Sequence, residues 1–523
     1  MTIIDLSESS LITRRSMLGA SAAATAAFLA ACSSAAKSGS GGSGGSKSTS
    51  LIVGTTTDFD PPDILRAGTN TTTLGLIFDS MAVLDPSTLQ VQPSVATSWS
   101  WNADKTELTV NLRSDVKYHT GRAFGPKDAI YSIKAVQGPT AGAQIAGVAS
   151  LIKSMSVSGP HQIKLTLDRP VGSFLDLLVM TPLVDSATFK GLFSGKQVIG
   201  TGPFVFGTWT PGTSITLSRN PHYWQSGLPH LNKVTVRIFG SEQALVSALR
   251  ANEIGLAWNL VPSDATLLAK GNAYPSVTTA PLFSEWYVGA NVKSPPFNNL
   301  QVRQAVAYAL DRDRIVKQAF AGFGTASACP WPTTLAGLSG SDDTYYTYDP
   351  DKAKALLKQG GGAPSQTFSV VIGAGNAIAE SILDIVQFNL SAIGLKVKAQ
   401  QVQNTAFQQQ LQKASIPGLW INAVGQVDLS IGAVLLGNAP FKITENTSNV
   451  TDPHYVARAK QLIYASSSSE IASATRGVTD YILQQAWHMT VGHVPTTAAA
   501  QPSLSGVTVN AGLSLQLASA KLS

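Results

Sequence analysis

The chain has 523 residues, 44% hydrophobic and 13% charged, a composition and length suited to roughly two to four folded domains. Its net charge of +6 (pI near 9.1) is spread thinly, without a dense Lys/Arg run and interleaved aromatics, so nucleic-acid binding has no support. Two cysteines, Cys32 and Cys329, exclude a disulfide-rich scaffold, and a body of this size can rest on its apolar core instead.

Arg14 and Arg15 precede a modest apolar segment, "SMLGASAAATAAFLAA". It is shorter and richer in alanine than the ~20 strongly apolar residues of a permanent membrane span. Residues 1–31 therefore read as a signal peptide and stay outside the fold. "TRRSML" resembles a twin-arginine export signal, with the general secretion route as the alternative. "LAAC", ending at Cys32, resembles a bacterial lipobox, which implies cleavage before Cys32 and a diacylglycerol on its thiol. The following stretch to residue 50 is Ser/Gly-rich and has too little apolar surface to order itself. Residues 32–50 read as a lipidated cysteine and a flexible tether with an end-to-end distance of roughly 25 Å.

"LIVGTT" reads as the first strand, with Asp58 and Phe59 just beyond it. "KTELTVNLR" alternates Leu108, Val110 and Leu112 with polar residues, the period of a half-buried strand. "HQIKLTLDRP", "TSITLSRNP" and "NKVTVRIF" repeat the pattern. Helices lie between them. "GPKDAIYSIKAV" has Pro126 in its first turn, and Ser241 is placed to cap "EQALVSALR". "VRQAVAYALDRDRIVKQAF" is a long amphipathic region with a break near Asp311, and "YDPDKAKALLKQGG" has an Asp349 cap, Pro350 and a Gly360 stop. "TFSVVIGAGNAIAESILDIVQFNLSAIGLKVKAQQV" reads as strand, helix, strand: a βαβ unit, so the class is α/β with parallel sheet and antiparallel additions.

Several catalytic patterns fail on context. "GGSGG" fits a nucleophile elbow but lies in the tether, not between strand and helix. "SLIK" lacks the partner motifs of a penicillin-type enzyme, and "GAGNAI" has Ile378 where a dinucleotide loop needs its third glycine. His488 and His493 are five apart, which is not a zinc-helix spacing. An exported hydrolase would need an activated nucleophile, and none is visible. The aromatics are more informative. Phe59, Trp258 with Asn259, Trp286 with Tyr287, and Trp420 lie in or just after short apolar strands. Clefts in open α/β sheets form beyond strand ends, where aromatics offer rigid contact area. Ordinary core is the competing reading for each.

"LQVQPSVATSWSWNADKTELTVNLRSDVKYHTGRAFGPKDAIYSI" closely resembles the segment that marks extracellular solute-binding proteins of family 5, the dipeptide-, oligopeptide- and nickel-binding receptors of ABC importers. "IGTGPFVFGTWTPGTSITLSRNPHYW", "PPFNNLQVRQAVAYALDRDRIVKQAFAGFGTAS", "YDPDKAKALL" and "LSAIGLKVKAQQV" match later blocks of that family in order. The resemblance implies a two-lobed periplasmic-binding-protein fold of type II, cluster C. Lobe I would comprise 51–82, 198–287 and 491–523, with an inserted subdomain at 83–197, and lobe II 288–490. It implies hinge closure on a small solute, most simply a peptide, with no catalytic group and no cofactor. The partners would be permease transmembrane subunits with their ATPases. The body would be a monomer, exported and held by lipid at the outer face of the cell membrane. The implied ligand-binding residues are Asp58, Phe59, Trp258, Asn259, Trp286, Tyr287, Trp420, Asn422, Gln426 and Asp428. One departure stands out. Peptide-binding members resemble W-x-x-D here, the Asp pairing the ligand's terminal ammonium; this chain has Trp420 but Ala423, and its next acid is Asp428. Either Asp428 takes the role or the solute lacks a free amino terminus, and a saccharide, blocked peptide or metal chelate becomes the alternative, as does a surface sensor that does not transport.

Overall fold

The computed structural model describes residues 49–66, 70–85, 88, 90–138, 143–270, 273–362, 365–425, 430–510 and 514–523. The signal segment, Cys32 and most of the tether lie outside these, as do Gln426 and Asp428. In chain order the strands used below are β1 (Ser50–Thr55), β2 (Ala82–Leu84), β3 (Val91–Pro93), β4 (Ala96–Trp101), β5 (Glu107–Leu112), β6 (Ile152–Gly159), β7 (Gln162–Leu167), β8 (Phe204–Thr210), β9 (Ser214–Arg219), β10 (Lys233–Ile238), β11 (Leu256–Leu260), β12 (Ser276–Ala290), β13 (Phe368–Gly373), β14 (Val397–Val402), β15 (Leu419–Gly425) and β16 (His488–Ala500).

Ten of these form one sheet in the order β14-β13-β15-β12-β16-β11-β1-β10-β9-β8. Its spine is the antiparallel pair of long strands β12 and β16, with three strands on one side and five on the other. From Glu285 to Ala290 and from His488 to Val494 the spine is buried, polar residues included. The βαβ reading holds: β13 and β14 are adjacent and parallel, and the helix Ala377–Ala392 joins them behind an Asn376 cap that accepts from Ala379 N at 3.0 Å. The region expected to break near Asp311 is two helices, Leu300–Ala309 and Arg312–Gln318; the Asp311 carboxylate accepts from Arg314 N at 3.0 Å and starts the second.

A separate antiparallel sheet, β4-β5-β7-β6, carries two of the period-2 strands read from the sequence, β5 and β7; the other two, β9 and β10, lie in the large sheet. Leu108, Val110, Ile163 and Leu165 are fully buried, and the register sets Val110 opposite Ile163 and Leu108 opposite Leu165. Each such side chain contributes about 1.5–3 kcal/mol on burial. Against them packs the helix Pro126–Gln137, started by Pro126 and by Asp128, which accepts from Gly125 N at 3.1 Å. Arg122 clamps Asp128 and Asp185 together, at 2.8 and 2.5 Å, and fixes this helix to the segment after β7.

Candidate functional site

Strand directions locate the site. β1 is parallel to β10 and β11, and β16 runs antiparallel to β11, with Leu256 opposite Ala500 and Leu260 opposite Thr497. On the other side, β15 is antiparallel to β12, from Leu419 opposite Ala290 to Gly425 opposite Ser284, and Ser284 in turn faces Val494. The C-terminal ends of β11 and β15 therefore point at each other along β16. Three residues separate their levels, Val494 to Thr497, or about 10 Å of strand. Open α/β sheets bind ligands beyond the C-terminal ends of their strands. Here two sets of such ends converge, with the β12–β16 spine as the floor between them.

Directly opposed residues share a face, so the register sorts the floor. One face carries Glu285, Tyr287, His488, Thr490 and His493 together with Trp420, Asn422 and Val424. Glu285 is fully buried, and its Oε1 accepts from His488 Nε2 and Thr490 Oγ1, both at 2.6 Å. The carboxylate partner fixes the His488 proton on Nε2. The Tyr287 ring stacks on His488 at 3.9 Å, Phe441 packs against the same imidazole at 4.3 Å, and Trp331 lies against Phe441. Trp420 Nε1 donates to the Tyr287 hydroxyl at 3.4 Å, and burial holds that phenol well above its ordinary pKa. His493 donates from Nε2 to Cys329 O at 3.0 Å; burial lowers its pKa, so the imidazole is neutral. The floor is thus a buried polar network ringed by aromatics. Such a network is costly if incomplete and rigid if satisfied.

The structure brings some of the sequence-expected residues together and separates others. Tyr287, Trp420 and Asn422 share the floor's face. Trp286 is on the opposite face, packed with the apolar cluster of Val288, Val302 and Ile421. Trp420 is fully enclosed among Tyr287, Phe407, Leu411 and Ile416, and sits so tightly on β12 that a Cβ at Gly289 would meet its ring at 2.2 Å. Trp258 is also enclosed, on β11, while Asn259, at positive φ in a β-bulge, is exposed at the strand's end. Asp58 is engaged by its own surroundings: its carboxylate accepts from Phe59 N (2.7 Å), Trp209 Nε1 (3.0 Å) and Gly212 N (2.6 Å). Phe59 lies buried between Phe206 and Trp209. Ala423 faces Trp286 across the strand pair, so no carboxylate occupies that strand position. Sequence reasoning missed Glu285, His488 and Thr490 as a unit. The available signal was an acid inside an apolar strand, "SEWYVGA", which burial forbids without a partner.

The two sides of the spine also touch away from the floor. Asp176, after β7, accepts from Ser430 N at 2.7 Å and Ser430 Oγ at 2.8 Å, and burial raises its pKa to about 6. The helices Ala146–Ala149 and Ile431–Gly437 meet through glycines: a Cβ at Gly437 would lie 1.8 Å from Gln144 O, and one at Gly147 2.7 Å from Leu436 Cβ. Lys105 Nζ donates to Ser466 O at 2.6 Å. All three contacts join residues that precede β12 to residues between β12 and β16. Among the described residues no group of three or more His, Cys, Asp or Glu could hold a metal ion, and no helix is long and apolar enough to cross a membrane. Cys329 is fully buried, and burial pushes its thiol well above the ordinary range, which opposes a nucleophilic thiolate.

A sheet that meets itself strand-end to strand-end across a two-strand floor defines a two-lobed α/β body. The particular family follows from the chain's relatives. Residues 90–434 match the family described as bacterial extracellular solute-binding proteins, family 5 Middle, and the chain belongs to it. It is 27% identical over 314 residues to the glutathione-binding protein GsiB of Escherichia coli, covering 59% of this chain and 61% of that protein. It is 27% identical over 374 residues to di/tripeptide-binding protein 2 of Pseudomonas aeruginosa, covering 66% of this chain and 69% of that one. Among solved structures it resembles the A. tumefaciens periplasmic binding protein AgaA in complex with agropinic acid (TM-score 0.80, 22% identity, 91% of this chain and 99% of that one). It also resembles DppA of Helicobacter pylori in complex with the peptide STSA (TM-score 0.77, 21% identity, 90% and 98%). NikZ of Campylobacter jejuni with Ni(L-His) gives TM-score 0.75 at 19% identity, over 89% and 97%. These likenesses establish the two-lobed α/β fold.

Proposed function

We propose that this protein is the extracytoplasmic receptor of an ABC importer, capturing a peptide-like solute between its lobes and delivering it to membrane permease subunits with their ATPases. The observation that carries the reading is the convergence of the β11 and β15 ends over the β12–β16 floor. Lobe I would be 51–82, 198–287 and 491–523, the inserted subdomain 83–197 and lobe II 288–490. The two spine strands then serve as the hinge, and the Asp176–Ser430 contact bridges the inserted subdomain and lobe II. Binding and closure are one equilibrium: a solute that meets both lobes favours the closed form by its differential contacts. Asn259 at the end of β11 and Asn422 within β15 are groups we assign to the solute, together with Gln426 and Asp428, which follow β15 in the sequence. Tyr287 and Trp420 on the floor's face, with Phe59 and Trp258 by the ends of β1 and β11, back them as rigid support, while Trp286 braces the floor from its other face. The lipid on Cys32 and the tether would keep the receptor beside its permease while leaving it free to turn; two acyl chains hold stably where one is marginal.

Ala423 favours a second reading of the solute. With no carboxylate at that strand position, a free ammonium would be uncompensated unless Asp428 supplies the charge. A blocked peptide, saccharide or metal chelate would need no such group. Proteins of this fold have been solved in complex with such diverse ligands: agropinic acid for AgaA, Ni(L-His) for NikZ. Native mass spectrometry of the tether-free body, purified gently from its own host, tests both readings. A co-purifying mass that fragments as a peptide, and whose affinity falls in Asp428→Asn but not for its amino-blocked form, supports the first. A sugar-like or chelate mass supports the second. Steady turnover of labelled peptide or ester substrates would overturn the receptor reading.

A further inference from the structure

A pit of about 200 Å³ lies where the segment after β7 meets the helices Ile431–Gly437, Pro453–Ile463 and Ser468–Gln485. Helical spacing builds its walls. Ile471 and Thr475, four apart, share one face of their helix, and Leu462 and Ile431 come from the other two. Ala336 also lines the pit, and its exposure places it at the mouth. Gly172 closes the side that belongs to the β7 segment. Among the described residues, no charged side chain lines the pit, and none of the residues assigned to the solute does.

Backbone amides of lining residues stitch the two sides together. Gly172 N donates to Ile463 O at 3.3 Å, and Ser430 N donates to the Asp176 carboxylate at 2.7 Å. Glycine explains why space remains beside these stitches. A Cβ at Gly172 would meet Ala465 O at 2.4 Å, and one at Gly432 would lie 3.3 Å from Ser173 Oγ. A side chain is barred at the first position and crowded at the second, so the contact is close at its edges and unfilled between them. Unfilled apolar space costs stability in proportion to its volume. Water fills it poorly, because a water needs two to four polar partners and these walls are mostly hydrocarbon; the Ser430 hydroxyl already donates to Asp176 at 2.8 Å. An apolar cavity of roughly 150 Å³ can take benzene. The pit therefore suits an uncharged molecule of about one ring.

We propose that this pit is a binding site for a small uncharged hydrocarbon ring, which on binding holds the segment after β7 against the three helices. Such a molecule touches both sides at once, so it favours the state in which they are joined. Its apolar contacts need no donor or acceptor from the walls. The site stands independently of the solute that the lobes capture.

The test is isothermal titration of toluene into the full chain carrying Cys32→Ser, so that no acyl chain takes up the probe, with benzoate as the charged ring of like size. Saturable toluene binding is expected, with benzoate at least about tenfold weaker because its charge would be buried without a partner. Ala336→Phe puts a ring at the exposed mouth and should weaken toluene by at least about tenfold. Ile471→Thr, which keeps the branch at Cβ and makes the wall polar, should weaken it by about threefold or more. Hydrogen exchange reads the bridge itself: at about 80% saturation with toluene, the Gly172 and Ser430 amides should exchange about fivefold more slowly. No saturation up to about 5 mM toluene would overturn the proposal. So would affinity unchanged in both Ala336→Phe and Ile471→Thr, which would place the ring elsewhere, benzoate binding as tight as that of toluene, or toluene binding that leaves both amides unprotected.

Discussion

Replacing Asp176 by Asn should make the protein more stable near neutral pH. The carboxylate lies buried where the segment after β7 meets Ser430, with two donors at 2.7 and 2.8 Å. Burial outweighs those hydrogen bonds and raises its pKa from the ordinary 3.8 to about 6. That difference is worth ~3 kcal/mol in favour of the neutral form. The sign follows: an acid whose folded pKa is raised penalises the fold above about pH 6, and the penalty fades as pH falls towards 3.8. Asn carries no charge, and its carbonyl can still accept from Ser430 N–H. Asp176→Asn should therefore gain about 1–3 kcal/mol at about pH 7.5 and nothing at about pH 4. Asp79, likewise raised to about 6 by burial, acts equally in parent and variant and cancels. Urea denaturation followed by tryptophan fluorescence at both pH values measures the difference. A variant destabilised at the higher pH, or a difference that does not change with pH, would refute the reasoning.

Three further outcomes are expected. Trp420→Ala empties a fully enclosed site and should cost about 3–5 kcal/mol, lowering the melting temperature in a calorimeter. A variant that loses only solute affinity would contradict that placement. Gly289→Ala puts a Cβ against the Trp420 ring and should destabilise by at least about 1–3 kcal/mol by chemical denaturation. Pairing it with Trp420→Ala should recover part of the loss. Glu285→Ala strips His488 and Thr490 of their shared acceptor and should cost about 3–5 kcal/mol, whereas Glu285→Gln, which keeps an acceptor oxygen, should cost less in the same denaturation experiment.

Much of the local structure was legible in the sequence. The alternation of Leu108, Val110 and Leu112, the Ser241, Asp311 and Asp349 caps and the βαβ unit around Ala377–Ala392 all follow from short-range rules, because strand and helix periods and capping act within a few residues. The ordered run of family segments and the Ala423 departure were visible there too. Only the tertiary structure decided the site. Trp286 and Tyr287 are neighbours in sequence, yet lie on opposite faces, and β16's pairing with β12, some two hundred residues away, determines which face is the floor. Glu285 is tolerable only because that register brings His488 and Thr490 to it. Trp420 reads equally as wall or core until Gly289 is seen to hold it flat against the sheet. The reason is that a side chain's period is a local property, while its partner is chosen by the register of strands distant in the chain.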